Sequence, residues 1–226
     1  MKALAIGAAA ILFCSVVAAQ DYPTRSVRIV VPFSPGGASD IMGRMAAARL
    51  GELWSQPVVV ENRTGADGRI ATEHVARSPA DGYTLMINDP SFFTVPNFFA
   101  KIPYDTGRDF SPVTLLAKAP MVLVTNNGFA AQSVADLVAL AKQKPGGLNF
   151  ATPGNGSPGH LNGLLVGQIS GTEFLSIHYK GAAPALQDVL SGVVSFTFVS
   201  VASALPNVKA GKLRALGVTS LQRFAA

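Results

Sequence analysis

Two glycine-bearing turns are the places where this 226-residue sequence carries the residue types and spacing for chemistry. The first reads Pro32-Phe33-Ser34-Pro35-Gly36-Gly37-Ala38-Ser39-Asp40, the second Thr152-Pro153-Gly154-Asn155-Gly156-Ser157-Pro158-Gly159-His160. Each lies between a strand-like run and a helix-like run. Glycine lets the backbone approach a ligand closely and present its N–H groups. The start of a helix adds N–H groups without intrahelical partners and a partial positive charge. Such a turn binds an anion without any arginine. Two of them on facing lobes can hold a small acid with a carboxylate at each end. The candidate contacts are Ser34, Gly36, Gly37 and Ser39 in the first turn, and Thr152, Gly154, Gly156, Ser157 and His160 in the second. Tyr179 and Lys180, after the next strand, border the same region, with Lys180 equally a solvated surface residue. A β-branched residue at Gly37 is expected to block backbone approach and any positive φ there. Asp40 reads as a helix-capping carboxylate that competes with an anion for the same donors.

The second turn also fits two sharper chemistries. Gly154-Asn155-Gly156-Ser157-Pro158-Gly159 is a literal G-x-G-x-x-G, the dinucleotide fingerprint. Its acidic partner is missing, because the next strand ends in His178-Tyr179-Lys180, so the match reads as accidental and no cofactor is expected. Ser157 sits where a hydrolase nucleophile would. The residue two before it is Asn155 rather than glycine, and His160 is only one helical turn away, whereas a hydrolase base normally arrives from a distant loop. Capture without catalysis is therefore favoured over an exported serine hydrolase. His74, His160 and His178 show no metal-ligand spacing. Phe92-Phe93 and Phe98-Phe99 read as core of a long connection, with one aromatic free to wall a cleft. Asn62-Arg63-Thr64 matches a glycosylation sequon of the short kind that arises by chance.

The elements that must position these turns alternate along the chain. Strands are predicted at Val27–Phe33, Pro57–Glu61 and Tyr83–Asn88, with helices at Ser39–Trp54 and Asp67–Arg77 between them. This is a βαβαβ unit, which implies a parallel sheet with right-handed crossovers. Residues 89–118, with Pro90, Pro96, Pro103 and Pro112, read as an irregular connection. A second βαβαβ unit starts at Met121–Thr125 and runs through Val134–Lys144, Leu148–Thr152, Pro158–Ile169, Phe174–His178, Pro184–Leu190, Val194–Val199 and Ala202–Lys209 to Leu213–Thr219. The reading is two α/β lobes, 20–119 and 120–226, after a leader of 1–19.

Composition narrows the class further. Hydrophobic residues make up 49% of the chain and charged residues 14%, which excludes a disordered polymer. A single cysteine excludes both a disulfide scaffold and a cysteine zinc site. Met1-Lys2, the apolar run Ala3–Val17 and the small residues Ala18-Ala19 form a secretory leader with cleavage expected after Ala19. The apolar run is shorter than the ~20 residues of a membrane span. Cys14 follows Phe13, where a lipoprotein signal needs a small side chain, so no lipid anchor is expected. The 18 basic and 13 acidic residues are dispersed rather than clustered, which excludes a nucleic-acid surface while favouring small anions.

With these turns on the page, the sequence resembles the exported substrate-binding receptors of tripartite tricarboxylate transporters, the Bug-type proteins. The markers are Val30-Val31-Pro32-Phe33-Ser34-Pro35-Gly36-Gly37 with Asp40, Val60-Glu61-Asn62-Arg63 with Gly65-Ala66, Ala80-Asp81-Gly82-Tyr83-Thr84-Leu85, Asp109-Phe110-Ser111-Pro112-Val113, Gly156-Ser157 with His160-Leu161, Tyr179-Lys180-Gly181, and Gly211-Lys212-Leu213-Arg214-Ala215-Leu216. They run in order over essentially the whole mature chain. The resemblance implies a two-lobed periplasmic-binding-protein-like fold of type II, with mostly parallel sheets and a ligand cleft between lobes. It implies a monomer that closes on a small organic carboxylate and delivers it to the membrane components of a transporter, without catalysis, cofactor or metal. It also implies main-chain and hydroxyl contacts to ligand carboxylates from the βα turn of each lobe. Two departures accompany it. Ser195 follows Gly192-Val193-Val194 where relatives usually carry an acidic residue. Family chains also continue past Arg223 with a segment that returns to the first lobe, so a sequence stopping at Ala226 is expected to leave that lobe short of packing partners, less stable, and in the extreme a non-functional remnant.

Overall fold

The computed structural model describes residues 21–223, so the predicted leader lies outside the described residues. Two sheets organise the chain. The first has strands β1 (Val27–Val31), β2 (Val58–Asn62) and β3 (Thr84–Met86) in the order β2-β1-β3, all parallel. Helix α1 (Ala38–Trp54) connects β1 to β2, and α2 (Arg69–Ala76) connects β2 to β3. The nearly all-apolar run of β1 follows from its central place, with Val27, Ile29, Val30 and Val31 essentially inaccessible to water and only Arg28 exposed. Ile29, Val31 and Ala47 form the buried centre of this lobe, packed by Leu50, Val58, Val60, Leu85 and Ile87.

The irregular stretch after β3 carries a short helix, α3 (Ser91–Thr94), and a 3₁₀ turn at Val95–Phe98. It leads into the second sheet: β4 (Met121–Asn126), β5 (Asn149–Thr152), β6 (Leu175–His178), β7 (Phe196–Ser200) and β8 (Leu213–Val218), ordered β6-β5-β7-β4-β8. Strand β5 pairs with β6 and β7 in parallel, as a βαβαβ unit requires. Strand β4 corrects the sequence expectation, since it runs antiparallel to both β7 and β8. A residue run is the same read in either direction, so periodicity carries no information about strand polarity.

Helices α4 (Val134–Gln143), α5 (Pro158–Ser170), α6 (Ala182–Leu190) and α7 (Val201–Lys209) cover this sheet on both faces. Alternation along the strands sorts the core into two layers. Val122, Val124, Ala151 and Val199 join Ala185, Leu186, Val189 and Ala204 of α6 and α7. Leu123, Phe150, Phe196 and Phe198 point the other way, with Leu137 of α4. Helix α5 lies very close to that second layer. A Cβ at Gly163 would fall 2.6 Å from Cδ2 of Phe150 and closer still to the edge of its ring, so only glycine fits. No helix among the described residues is long and apolar enough to cross a membrane.

Candidate functional site: two turns facing across the lobes

The first turn leaves β1 and enters α1. It is braced from behind by Asp40, whose side chain is 3% exposed. The Asp40 carboxylate accepts the Gly36 N–H at 2.9 Å, the Asn62 side-chain amide at 2.9 Å and the Arg44 guanidinium at 3.0–3.1 Å. Burial alone would raise the Asp40 carboxyl, but Arg44, together with the Gly36 and Asn62 amides, outweighs it and holds the group below its ordinary value. Asn62 also donates to the Phe33 carbonyl at 3.0 Å, which ties the end of β2 to the turn. The amide side chain of the sequon is thereby committed to the fold.

Gly36 takes up the strained geometry here, with φ at +85°, while Gly37 has φ −80° and ψ 169°. This corrects the expectation of positive φ at Gly37, whose hypothetical Cβ would meet only ordinary contacts, Ser34 O at 3.7 Å and Ala182 Cβ at 3.8 Å. With Gly36 N–H taken by Asp40, the amides of Gly37, Ala38, Ser39 and Asp40 meet no protein acceptor among the described residues. The Ser34 hydroxyl is buried and unpartnered as well.

The second turn has the opposite character, since nearly every donor in it is used internally. Thr152 Oγ1 meets Ser157 Oγ at 3.0 Å and the Gly154 carbonyl at 3.0 Å. Ser157 Oγ caps α5 by accepting the His160 N–H at 3.2 Å, the role its residue type favours at a helix start. Gly156 N–H donates to His160 Nδ1 at 3.2 Å, and Ser157 N–H to the Gly154 carbonyl at 3.3 Å. Burial, aided by the neighbouring His178, pushes the His160 imidazole below its ordinary value. The expectation of two equivalent amide cradles is thus corrected for this conformation. The physical reason is that the Thr152 and Ser157 hydroxyls and the His160 imidazole fold back onto the second turn, whereas the first turn has no imidazole and its Ser34 hydroxyl meets no partner.

Each turn makes direct contacts with the opposite lobe. Ser34 N–H donates to the Lys180 carbonyl at 3.1 Å, and the Ser203 hydroxyl to the Gly36 carbonyl at 3.3 Å. Gly36 and Gly37 lie against Ala183 and Ala182 at the start of α6. From the first lobe, Asp67 accepts the Asn155 N–H at 2.9 Å and the Asn155 side-chain amide at 3.3 Å. The Thr94 hydroxyl donates to the Gly156 carbonyl, and the Phe98 ring lies 5.7 Å from the His160 ring. A cavity of about 190 Å³ lies in this seam, walled by Pro32, Phe33, Ala66, Asp67, Pro153 and the His178–Lys180 stretch, with Gly65 and Gly68. Of the predicted site residues Tyr179 lines it directly. Its hydroxyl is committed to Asp188 at 2.5 Å, and burial together with that carboxylate pushes the phenol up to about 12. A larger, shallower depression of about 470 Å³, bounded by residues such as Asn127, Gln187 and Lys212, includes no residue of either turn.

Sequence reasoning placed both turns but missed Asp67, Asn62, Thr94 and Ser203. Asp67 alone had a local signal, an acidic residue inside the glycine-flanked run Gly65-Ala66-Asp67-Gly68. The other three act through contacts with distant parts of the chain. Phe98, from the predicted connection, packs on His160 and Gly156 but is not among the residues lining the cavity. No group of three or more His, Cys, Asp or Glu among the described residues is placed to hold a metal.

Known proteins resemble this chain in sequence and fold. Protein BugT of Bordetella pertussis is 39% identical over 209 residues, covering 92% of this chain and 64% of its own length. R. palustris Rpa4515, solved with adipate, superposes with a TM-score of 0.87 at 39% identity, covering 89% of this chain and 68% of that one. MatC from Rhodopseudomonas palustris, solved with bound malate, gives 0.81 at 28% identity, with coverage of 89% and 69%. The chain thus spans somewhat under two thirds of the length of BugT. The fold is that of the periplasmic solute-binding proteins, α/β with parallel-rich sheets. Residues 42–226 match the family described as "Tripartite tricarboxylate transporter family receptor", and with this extent of match and of identity the chain belongs to that family of solute-binding receptors.

Proposed function

We propose that this protein is an exported, monomeric receptor of the periplasm that captures a small organic carboxylate between two lobes meeting near Pro120. It hands that ligand to the membrane components of a tripartite transporter, with no catalysis. The observation that carries this reading is the row of four unpartnered amides at Gly37, Ala38, Ser39 and Asp40, at the start of a helix whose entry, Gly37, lies beside Ala182 of the other lobe. Donors so placed complement a carboxylate. A ligand gripped from both lobes stabilises the closed state because only that state offers both sets of contacts. The adipate and malate held by related receptors support the ligand class. Hydrolysis by Ser157 is disfavoured by a specific observation: the residue is 1% exposed, and its Oγ meets Thr152 and the His160 main chain rather than the imidazole.

A melting screen of the full chain against mono- and dicarboxylates tests the proposal. A ligand at 100 times its Kd is expected to add about 2.7 kcal/mol of stability. Gly37→Val, which points a branched side chain at Ala182 beside the free amides, should abolish that gain while leaving the unliganded melt nearly unchanged. Absence of any carboxylate-induced shift in the unmodified protein would sink the reading.

A further inference from the structure

The Asp67 carboxylate occupies a place where a bound anion would be expected. It meets the Asn155 main-chain and side-chain amides at 2.9 and 3.3 Å. Its Oδ1 lies 2.8 Å from where a Cβ on Gly154 would be, so it fills the concavity that the glycine leaves open. Of the other amides of that turn, those of Gly154, Gly156, Ser157 and His160 are taken up by Thr152, His160, the Gly154 carbonyl and Ser157 in turn. The backbone that delivers Asp67 is left-handed at two successive non-glycine residues, Ala66 at φ +48° and Asp67 at φ +54°. Asp and Asn tolerate that region better than other side chains, so the backbone suits an acid at this position and not a bulky substitute.

Asp67 also forms one wall of the 190 Å³ cavity in the seam, and Lys180 forms another. The Lys180 side chain is exposed and enters no ion pair among the described residues. The two hydrogen bonds from Asn155 leave lone pairs of the Asp67 carboxylate free to accept more. A second carboxylate brought to this end of the cleft would have to displace Asp67 from Asn155 or lie against a like charge.

We propose that Asp67 sets the ligand specificity of the cleft: the protein takes a small monocarboxylate whose far end is a hydrogen-bond donor, an ammonium or a primary amide, in preference to a dicarboxylate. The acid end of the ligand is held by the free amides of the first turn or by Lys180, and its donor end faces Asp67. This inference rests on the carboxylate-capture reading and narrows it to a ligand class. Replacing the acid by its isosteric amide removes the charge while keeping an oxygen for the Asn155 N–H and a side chain that accepts left-handed backbone.

The test is calorimetric titration of the full chain and of Asp67→Asn with two length-matched series. One is succinate, succinamate and 4-aminobutanoate; the other is adipate, adipamate and 6-aminohexanoate. In the unmodified protein the donor-ended member of at least one series should bind about tenfold or more tighter than its dicarboxylate, the scale expected from like-charge exclusion. Asp67→Asn should shift that ratio toward the dicarboxylate by about tenfold. Dicarboxylate binding as tight as that of the donor-ended ligands, or a preference that Asp67→Asn leaves unchanged, overturns the assignment and leaves carboxylate capture standing. Failure of every ligand to bind either form overturns both.

Discussion

In the first lobe the turn between β1 and α1 is held from behind, and its working face is left open. Asp40, Arg44 and Asn62 form a bonded group on one side, while the amides of Gly37 through Asp40 have no acceptor on the other. In the second lobe the equivalent turn between β5 and α5 folds its own donors inward. Thr152, Ser157 and His160 satisfy it from within, and Asp67 closes it from the opposite lobe. The helices behind the turns differ in the same sense. Gly43 of α1 would place a Cβ 3.3 Å from Val31 Cγ2, a contact that a small shift relieves, whereas Gly163 of α5 meets the Phe150 ring head-on. Similar turn sequences therefore yield one open donor set on an adjustable support and one closed, rigid counter-surface. The first lobe thus supplies both the amides left without acceptors and, through Asp67, the carboxylate that closes the second turn.

The support is where this contrast can be broken most severely. Gly163→Ala should cost about 3 kcal/mol, since Phe150 is fully buried between α5 and Phe196 and has no room to retreat. Gly43→Ala should change stability by less than about 1 kcal/mol, because the helical preference for alanine offsets a mild contact. Denaturant melts of both variants read the difference directly. Equal losses at the two positions would show that the lobes carry their turns on equally rigid helices.

At the turns themselves, Asp40→Ala should cost about 2 kcal/mol, because the Gly36 and Asn62 amides lose a buried, charged acceptor together. Ser157→Ala should cost about 1 kcal/mol, the usual loss for a helix cap, since Thr152 keeps the Gly154 carbonyl as a partner. The ordering sharpens the comparison, because the open turn depends on its brace more than the closed turn depends on any one of its bonds. A Ser157→Ala loss exceeding that of Asp40→Ala would reverse it.

How far the sequence discloses this arrangement depends on the range of the interaction. Strand and helix order are legible from periodicity, as in the nearly all-apolar run of β1 and the helix following Ser157. The two turns are legible because glycine between a strand and a helix has a local geometric cause. The reversal of β4 is not, since its residues pair 71 to 96 positions away with β7 and β8. Nor is the closing of the second turn by Asp67, across 88 residues of sequence, or the tie from Asn62 to Asp40 across 22. Which glycine of Gly36-Gly37 takes the left-handed backbone is equally illegible in the sequence. It is the reach of Asp40 back to the Gly36 N–H, visible only in three dimensions, that accompanies the φ of +85° at Gly36.

The smallest expected effect is a pH dependence confined to the closed turn. The neutral His160 ring accepts the Gly156 N–H at Nδ1, and a protonated ring has no lone pair to do so. Burial, followed by the neighbouring His178, depresses its pKa in the folded state against a small opposing pull from Asp67. As the pH falls, the unfolded chain therefore takes up this proton first. The stability contributed by His160 is whole above its ordinary value of 6.5 and is lost as the pH falls from there through the lower folded value. Melting temperature should decline from about pH 7 to about pH 5, the window in which histidine titrates. His160→Asn, whose side-chain oxygen can still accept from Gly156 but cannot titrate, should flatten that decline. Asp40, held low by Arg44, contributes only at more acidic pH and does not blur the window. A slope unchanged in His160→Asn would mean that the second turn is closed by its hydroxyls alone, which removes the imidazole from the contrast between the lobes.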